Sequence, residues 1–272
     1  MEKTEEKIPC FIDSHFHIPL LFERSDLNEN TLMFHLKNRN VVSGLNIINS
    51  PEECRFLKNK NLFPNPSPSL LHAAGIHPHE SEKLKNSYDW IREISSHIVA
   101  VGEVGMDFHY DFAPRKTQLE VLLKMLGLSM ELNLPLIIHG REAENEIIDV
   151  LKNEGFSGRK VVFHSFTGSR EKAFQIMDNG WHISFTGIMT FKKSSYLRDV
   201  FKSLPLKKVM FETDAPFLAP VPFRGKVNLP GNVCAIYNCA SEISGIDKKL
   251  LSQTVMKTFS EFFSVEISGE TL

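Results

Sequence analysis

The sequence has no excess of positive charge and no run rich in lysine or arginine. Its 31 Lys and Arg residues face 33 Asp and Glu residues, which gives a formal net charge of -2. A protein that follows duplex DNA needs a broad cationic surface that releases counterions from many phosphates. The composition excludes such a protein, so any nucleic-acid substrate must be held through few, local contacts, as at a strand end.

Cysteines and long apolar runs are also scarce. The four cysteines, Cys10, Cys54, Cys234 and Cys239, lack the CxxC spacing of zinc ribbons and redox motifs. The first residues, MEKTEEKIPC, contain no apolar core of the kind a signal peptide requires. No apolar run approaches the roughly 18 residues of a transmembrane helix. We therefore expect reduced thiols and a soluble, cytoplasmic protein without a membrane segment or an obligate protein partner.

Short apolar segments rich in β-forming residues recur along the chain, and segments of helical period follow them. This alternation predicts βα units and a parallel sheet. Eight such units close a barrel, so the expected fold is α/β, a (β/α)8 TIM barrel formed by residues 1–272 as a single domain. The predicted strands are Cys10–Ser14, Val41–Ile48, Leu71–Ile76, Ile98–Glu103, Leu136–His139, Lys160–His164, Trp181–Phe185 and Lys208–Glu212.

Capping residues mark several of the predicted helices. One helix is expected to begin after a Ser169 cap, and another after an Asn232 cap with its end near Gly245. A final amphipathic helix follows Asp247. The segment Lys58–Ser69, which contains three prolines, is expected to be an extended loop before the third strand.

The end of the first predicted strand carries an acid and two histidines in alternation. Asp13, His15 and His17 are separated by single residues, so the period of two directs all three side chains to one face. In isolation, an HxH motif is equally well explained by a polar strand end that faces solvent. Similar groups follow other predicted strands: His77 and His79 after the third, Glu103 at the fourth, His139 at the fifth, His164 at the sixth and Asp214 after the eighth.

These groups predict a metal site, because the carboxyl ends of all strands of such a barrel meet at one rim. Each residue alone has a simpler interpretation, as a hydrogen-bonded core histidine or as a capping or salt-bridged acid. A single catalytic zinc usually has three protein ligands, so a set of six favours two divalent metal ions, zinc, magnesium or manganese, with Glu103 as the bridge. The six expected ligands are His15, His17, Glu103, His139, His164 and Asp214.

Six segments occur in an order and spacing that resemble the TatD family of metal-dependent DNases. They read FIDSHFH, AAGIHPH, AVGEVGMDF, LIIHGREA, VFHSFTG and FETDAPFLAP. The resemblance covers nearly the whole chain and implies a two-metal hydrolase of DNA phosphodiester bonds, which in many members trims strands from the 3′ end, with the same six ligands. The chain has HGREA, FHSFTG and NLP where the family commonly has HSRDA, FHCFSG and NEP, and none of these departures removes a ligand.

The expected reaction is metal-assisted hydrolysis in which hydroxide attacks the phosphate. The predicted catalytic residues are Asp214, which would hold an ion and orient or deprotonate the water, and Glu103. Asp13 is predicted to be the partner of a histidine ring. A Ser or Cys nucleophile is the weaker hypothesis, because no GxSxG segment is present and the cysteines lack a paired histidine pattern.

The expected substrate is DNA, held at single-stranded ends. Arginine can grip phosphate oxygens bidentately, although structural salt bridges explain Arg141 and Lys226 equally well. Phe108 and Phe217 are candidates for stacking an unpaired base, with ordinary core packing as the simpler interpretation. The predicted substrate contacts are His77, His79, Arg141, Arg224 and Lys226.

Two other functions are compatible with the same pattern. A barrel of the amidohydrolase type that cleaves C–N or ester bonds of a small molecule would use the same mouth chemistry. A catalytically silent scaffold would keep the barrel for partner binding. The intact set of expected ligands argues against the scaffold, because Glu103 and Asp214 are both present.

Overall fold

Eight parallel strands form a nearly closed barrel in which each strand is hydrogen-bonded to the next in chain order. The structure, a computed structural model, describes residues 9–63 and 70–267. A parallel bridge between Phe16 and Ala215 brings the segment after the last strand back to the first. The predicted (β/α)8 barrel is confirmed. The strands are β1 Phe11–Phe16, β2 Val41–Ile48, β3 Leu70–Ala74, β4 Ala100–Asp107, β5 Leu136–Arg141, β6 Val161–Phe163, β7 His182–Phe185 and β8 Val209–Phe211.

The strand bounds follow the prediction with two kinds of difference. β2 coincides with it, whereas β6 and β8 span only three residues each. β4 continues to Asp107, so Glu103 lies inside the strand rather than at its end. The predicted strand ended at Glu103, whereas the structure also pairs Val104 with Ile138 and Asp107 with Arg141 of β5.

Two glycines allow β4 to approach β5 closely on either side of Glu103. Gly102 and Gly105 have φ angles of 156° and 153°, a region that residues with a side chain rarely adopt. A Cβ atom at Gly105 would lie 1.9 Å from the carbonyl oxygen of His139. The pairing register between the two strands also shifts within this segment. The GEVG segment is therefore a local distortion that carries Glu103 into the buried part of the barrel.

Eleven α-helices lie within the described ranges. Ser169 caps the helix that begins at Arg170 by accepting from Lys172 N at 3.3 Å, as predicted. The helix predicted to follow Asp247 is present, and Asp247 caps it by accepting from Leu250 N at 3.1 Å. Asn232 precedes the helix that begins at Val233, but its amide donates to Oδ1 of Asn228 and does not cap the first turn as predicted. The helices are α1 Ile18–Arg24, α2 Glu29–Asn38, α3 Pro51–Asn59, α4 Ser81–Leu84, α5 Asp89–Glu93, α6 Arg115–Leu132, α7 Glu144–Asn153, α8 Arg170–Asp178, α9 Ser195–Lys202, α10 Val233–Ser244 and α11 Lys248–Phe263.

The loop predicted at Lys58–Ser69 begins later than expected. Lys58 and Asn59 belong to the last turn of α3, where a basic side chain interacts favourably with the helix dipole. Residues 60–63 lie outside helices and strands, as predicted for a loop, and residues 64–69 lie outside the described residues. Within the described ranges, no helix combines the length and the apolar character needed to cross a bilayer.

Alternate strand residues supply two apolar clusters. In β5, Leu136 and Ile138 belong to the cluster under the outer helices, whereas Ile137 belongs to a smaller cluster that fills the barrel interior. Phe259 and Phe262 of α11 join this smaller cluster, and α11 packs against β1 and β8. The last helix thus closes the amino-terminal end of the barrel, and the polar groups gather at the opposite end.

Candidate active site

The two histidines of the first strand point their Nε2 atoms at each other at the carboxyl end of the barrel. His15 lies in β1, and His17 follows it at the position before α1. Their Nε2 atoms are 3.3 Å apart, and both side chains are buried. Oδ1 of Asp214 lies 3.6 Å from the first of these nitrogens and 3.4 Å from the second. These three side chains form a convergent group.

Glu103 connects this group to a second set of histidines. Its Oε1 lies 2.8 Å from Nδ1 of His139 and 2.7 Å from Nε2 of His164. Its Oε2 lies 3.6 Å from Nε2 of His15 and 3.8 Å from Nε2 of His17. The two oxygens of one buried carboxylate therefore face different histidines.

The surroundings of Glu103 keep it ionised. Burial alone would raise the pKa of its carboxyl, but the charge of His164 and the groups of His77, His139 and His15 outweigh burial and hold that pKa well below its usual range. For one of these neighbours, His77, burial outweighs the charge and hydrogen bond of Glu103 and lowers the pKa of the ring to about 4. The site thus combines an ionised carboxylate with at least one neutral imidazole, the form that binds metals.

Asp214 is the most accessible of the carboxylates in the cluster. Its side chain is 15% exposed, against 4% for Glu103. It has a φ of 55°, and its backbone N–H donates to His15 O at 2.9 Å. Asn228 braces the following turn by donating from Nδ2 to Thr213 O at 3.0 Å and Phe217 O at 2.7 Å. Burial would raise the pKa of Asp214, but the hydrogen bond with His17 lowers it.

Two buried acids that sequence reasoning missed support the histidines from behind. Oε1 of Glu212 lies 3.3 Å from Nδ1 of His164, and Oδ2 of Asp107 lies 3.2 Å from Nε2 of His139. Such partners fix the tautomer and orientation of a ligating ring. Glu212 lies in the motif FETDAP and Asp107 in the motif GMDF. The predicted site residues were instead Asp214 and Glu103, the other acids of the same segments.

The predicted role of Asp13 is wrong. Its carboxylate accepts from Thr213 N at 2.8 Å and Thr213 Oγ1 at 2.5 Å, and from the backbone N–H of His15 at 3.3 Å. Among the described residues it contacts no histidine ring. Burial raises the pKa of Asp13 well above its usual value, although the Thr213 hydrogen bonds oppose this. Asp13 therefore ties β1 to the segment after β8.

The residues predicted to contact substrate fall into two sets. His77 lies inside the ligand cluster, with Nε2 3.5 Å from Oε1 of Glu103, and His79 is hydrogen-bonded to Asp107 at 2.9 Å. Arg141 and Arg224 instead lie over aromatic rings, at 4.7 Å from the centroid of Tyr110 and 3.7 Å from that of Phe191. Lys226 follows in an exposed turn. Neither Arg141 nor Lys226 forms a salt bridge with a described residue.

The two phenylalanines proposed for base stacking differ in position. Phe108 is partly buried against the core and covered by the guanidinium of Arg115 at 3.9 Å, so the simpler interpretation holds for it. Phe217 is 37% exposed, with its ring centroid 6.4 Å from that of His17 and 4.8 Å from Cζ of Arg24. Only Phe217 of this pair reaches the mouth of the site.

The donor set fits metal ions. Two neutral imidazole nitrogens that face each other repel unless a proton or a cation lies between them, and nitrogens about 2.0–2.1 Å from one tetrahedral zinc are about 3.3 Å apart. The Nε2 atoms of His15 and His17 have that separation. Nitrogen and carboxylate donors without thiolates suit zinc and harder divalent ions. Among the described residues, three groups can hold an ion: His15, Glu103 and His164; His15, His17 and Asp214; and His77, Glu103 and His139.

Comparison with known proteins gives the same answer as the motifs. Residues 12–264 match the model of the TatD related DNase family. The metal-dependent hydrolase YabD of Bacillus subtilis is 35% identical over 71% of this chain and 77% of its own length. The metal-dependent hydrolase BU355 of Buchnera aphidicola is 31% identical over 93% of this chain and 99% of its own length.

A solved structure shows the same architecture. The TatD homologue YJJV of Escherichia coli K12 superimposes with a TM-score of 0.81 and 26% identity, covering 94% of this chain and 98% of that chain. The family resemblance predicted from the six motifs is confirmed by these matches. The chain belongs to the TatD related DNase family of metal-dependent hydrolases.

Proposed function

We propose that this protein hydrolyses phosphodiester bonds of DNA with two divalent metal ions and trims single-stranded 3′ ends. The observation that carries the proposal is the position of Glu103. One oxygen of its buried carboxylate faces His139 and His164, and the other faces His15 and His17. A carboxylate with this arrangement suits a bridge between two ions.

The chain supplies enough ligands for both ions. His15, His17 and Asp214 would hold one ion. His139 and His164, whose Nδ1 and Nε2 atoms are 3.2 Å apart and both face Oε1 of Glu103, would hold the other, with Glu103 shared between them. Zinc, manganese and magnesium all accept these donors. Divalent ions held there would supply positive charge to the attacked phosphate and would lower the pKa of a bound water.

Asp214 is the residue proposed to take the proton of the attacking water. Its lowered pKa keeps it ionised at neutral pH, and it is more exposed than Glu103. A general base must combine the right protonation state with access to the reacting water. Glu103, with its carboxylate enclosed by histidines, has the electrostatic role instead.

The substrate contacts proposed are few and lie at the mouth. Arg141 and Lys226 are exposed and take part in no salt bridge with a described residue, and Arg224 lies over Phe191. His77 and His79, which lie in and beside the ligand cluster and hold no ion in this assignment, are the other two proposed contacts. Because the net charge of the chain is -2, the three cations supply most of the positive charge for the phosphate. Few cations suit a short single-stranded end better than a long duplex.

The cytoplasm is the proposed location of this reaction. No disulfide joins any of the four cysteines, all of which lie in the described ranges, and thiols stay reduced in that compartment. Nothing in the proposal requires a protein partner.

The experiment is product mapping with the metal-depleted protein reloaded with zinc, manganese or magnesium. Substrates are 3′-labelled and 5′-labelled single strands, a blunt duplex and a closed circle, beside a panel of amides, lactones and phosphotriesters. Loss of nucleotides from 3′ ends, with two ions bound per chain, is the expected result. Equal cleavage of the circle would overturn end trimming, and turnover of the amides or lactones alone would replace the nuclease with an amidohydrolase.

A further inference from the structure

The segment between β4 and α6 exposes two aromatic rings at the mouth of the barrel. Tyr110 is 43% exposed and Phe112 is 63% exposed. Their ring centroids are 5.5 Å apart, so the rings form one continuous patch rather than two scattered side chains. Exposed apolar area concentrated in this way marks a binding surface.

This aromatic patch is held in a fixed position by two buried polar side chains. Oδ1 of Asp107 accepts from the backbone N–H groups of His109 at 2.9 Å and Tyr110 at 3.1 Å. At the other end, Nε2 of Gln118 donates to the carbonyl oxygens of Ala113 at 2.8 Å and Asp107 at 3.0 Å. A segment braced at both ends loses little conformational entropy when it binds a ligand.

The patch adjoins the ligand cluster through His79. The His79 ring lies 4.5 Å from that of Phe112 and 5.5 Å from that of Tyr110, measured between centroids. The same ring is 6.1 Å from that of His139, and both histidines hydrogen-bond to Asp107. A molecule that reaches the cluster from this side therefore passes over the patch.

The chemistry of the patch selects its occupant. The rings of Tyr110 and Phe112 are tilted by 43° to each other, so each can stack on a flat π-system separately. The guanidinium of Arg141 lies over the Tyr110 ring, 4.7 Å from its centroid, and adds a positive charge for an adjacent anion. A ligand with a planar ring beside a phosphate is a nucleotide, and only an unpaired base has a free face. Arg141 is engaged by no carboxylate of the described residues, so its charge is available.

We propose that Tyr110 and Phe112 form a stacking subsite for the unpaired base of a nucleotide beside the scissile phosphate. The inference rests on the proposed function, because it assigns the base of the nucleotide whose phosphate enters the same cluster. The enzyme would bind nucleotides that carry a base more tightly than abasic ones, with little preference among bases, since every base offers a π-face. Substrates that lack a base next to the reacting bond are therefore bound weakly.

The test compares two labelled decamers of thymidylate on the metal-loaded full-length protein, with phosphorothioate links to slow cleavage. One decamer carries all its bases, and the other has tetrahydrofuran abasic residues at the 3′ end. Fluorescence anisotropy gives Kd for the wild type, Tyr110→Ala, Phe112→Ala and the double variant. Tyr110→Phe and Phe112→Tyr keep the rings, and Phe34→Ala removes a phenylalanine that is 67% exposed on α2.

The alanine variants should bind the base-bearing decamer about 5- to 100-fold more weakly, and should bind the abasic decamer as the wild type does. The ring-preserving variants and Phe34→Ala should match the wild type. Equal losses on both decamers, or a wild type without preference for the base-bearing one, would overturn the subsite. Base preference in a protein that cleaves no unmodified oligonucleotide would keep the subsite and refute the nuclease. Cleavage without base preference would refute the subsite alone.

Discussion

Glu212 and His164 form a buried pair in which Oε1 of the acid lies 3.3 Å from Nδ1 of the imidazole. The other ring nitrogen, Nε2, faces Glu103 at 2.7 Å. Glu212 also accepts from the backbone N–H of Ser165 at 2.7 Å and from Ser184 Oγ at 2.6 Å. Its position is thus fixed independently of the ring it orients.

Glu212→Gln should weaken metal binding without removing a ligand. The NH2 group of the glutamine amide would face an N–H or O–H donor that Glu212 now accepts from. A buried donor left without an acceptor costs about 1–3 kcal/mol of stability. Loss of such a partner lowers metal affinity about 10- to 100-fold. Metal titration and thermal unfolding measure the two effects. Glu146→Gln, at an exposed position of α7, is the control, and equal affinities in the two variants would contradict the role of Glu212.

Glu103→Gln should abolish turnover while the fold remains. The substitution keeps the size of the side chain but removes the charge proposed to bridge two ions. We expect activity to fall by more than about 100-fold, the upper range for loss of an outer partner alone, and metal content to drop below two ions per chain. Elemental analysis and circular dichroism check these outcomes. Wild-type turnover with both ions still bound would remove Glu103 from the centre.

A pair of histidine variants separates a ligand from a core residue. His164→Asn should reduce metal occupancy and activity together, and saturating metal should recover much of the lost melting temperature through ligand linkage. His182, whose pKa burial lowers to about 3, packs on Phe262 at the closed end of the barrel. His182→Asn should lower the melting temperature without metal dependence. The same metal response in both variants would refute the assignment of His164.

Most of the barrel could be predicted because each strand carries its own pattern. Val41–Ile48 is an apolar run with clear ends, and the structure has the same bounds. The roles of Asp13 and Glu212 could not be predicted, since they depend on which long-range partner each acid meets. Asp13 meets Thr213, whereas the acid beside Nδ1 of His164 is Glu212, which follows β8. Local periodicity carries no information on that competition.

Arg224→Ala should weaken binding of oligonucleotides while metal content stays the same. A protein that neutralises Z phosphates of a single strand shows a salt slope near -0.7Z, so two or three contacts give roughly -1 to -2. Loss of one contact should make that slope shallower by about 0.7. Arg159→Ala is the matched control, because Arg159 also lies over a phenylalanine, Phe156, at 5.7 Å, but precedes β6 at the other end of the barrel. A steep salt dependence that is the same in the wild type and in Arg224→Ala would refute local binding.

His72 should make the fold less stable in mild acid. Burial lowers its pKa to about 4, and its Nδ1 faces Nδ2 of Asn46 at 3.2 Å. The unfolded chain takes up this proton near pH 6.5, the folded protein only near pH 4, so stability falls as pH drops between those values, by up to about 3 kcal/mol. His72→Gln should flatten that dependence by about one proton. Urea unfolding from pH 4 to 7.5 with chelator tests this, and parallel curves would contradict it.

The packing of α11 into the barrel interior bears on how the chain folds during synthesis. Ile12, near the start of the first strand, shares its cluster with Phe259 and Phe262. A nascent chain that has exposed only its strands lacks part of the cover of those interior residues, because Phe259 and Phe262 follow all eight strands in the chain. The interior cluster is therefore complete only after α11 has been synthesised. Until then, part of the apolar surface of the early strands stays exposed. Such surface promotes aggregation and is bound by chaperones.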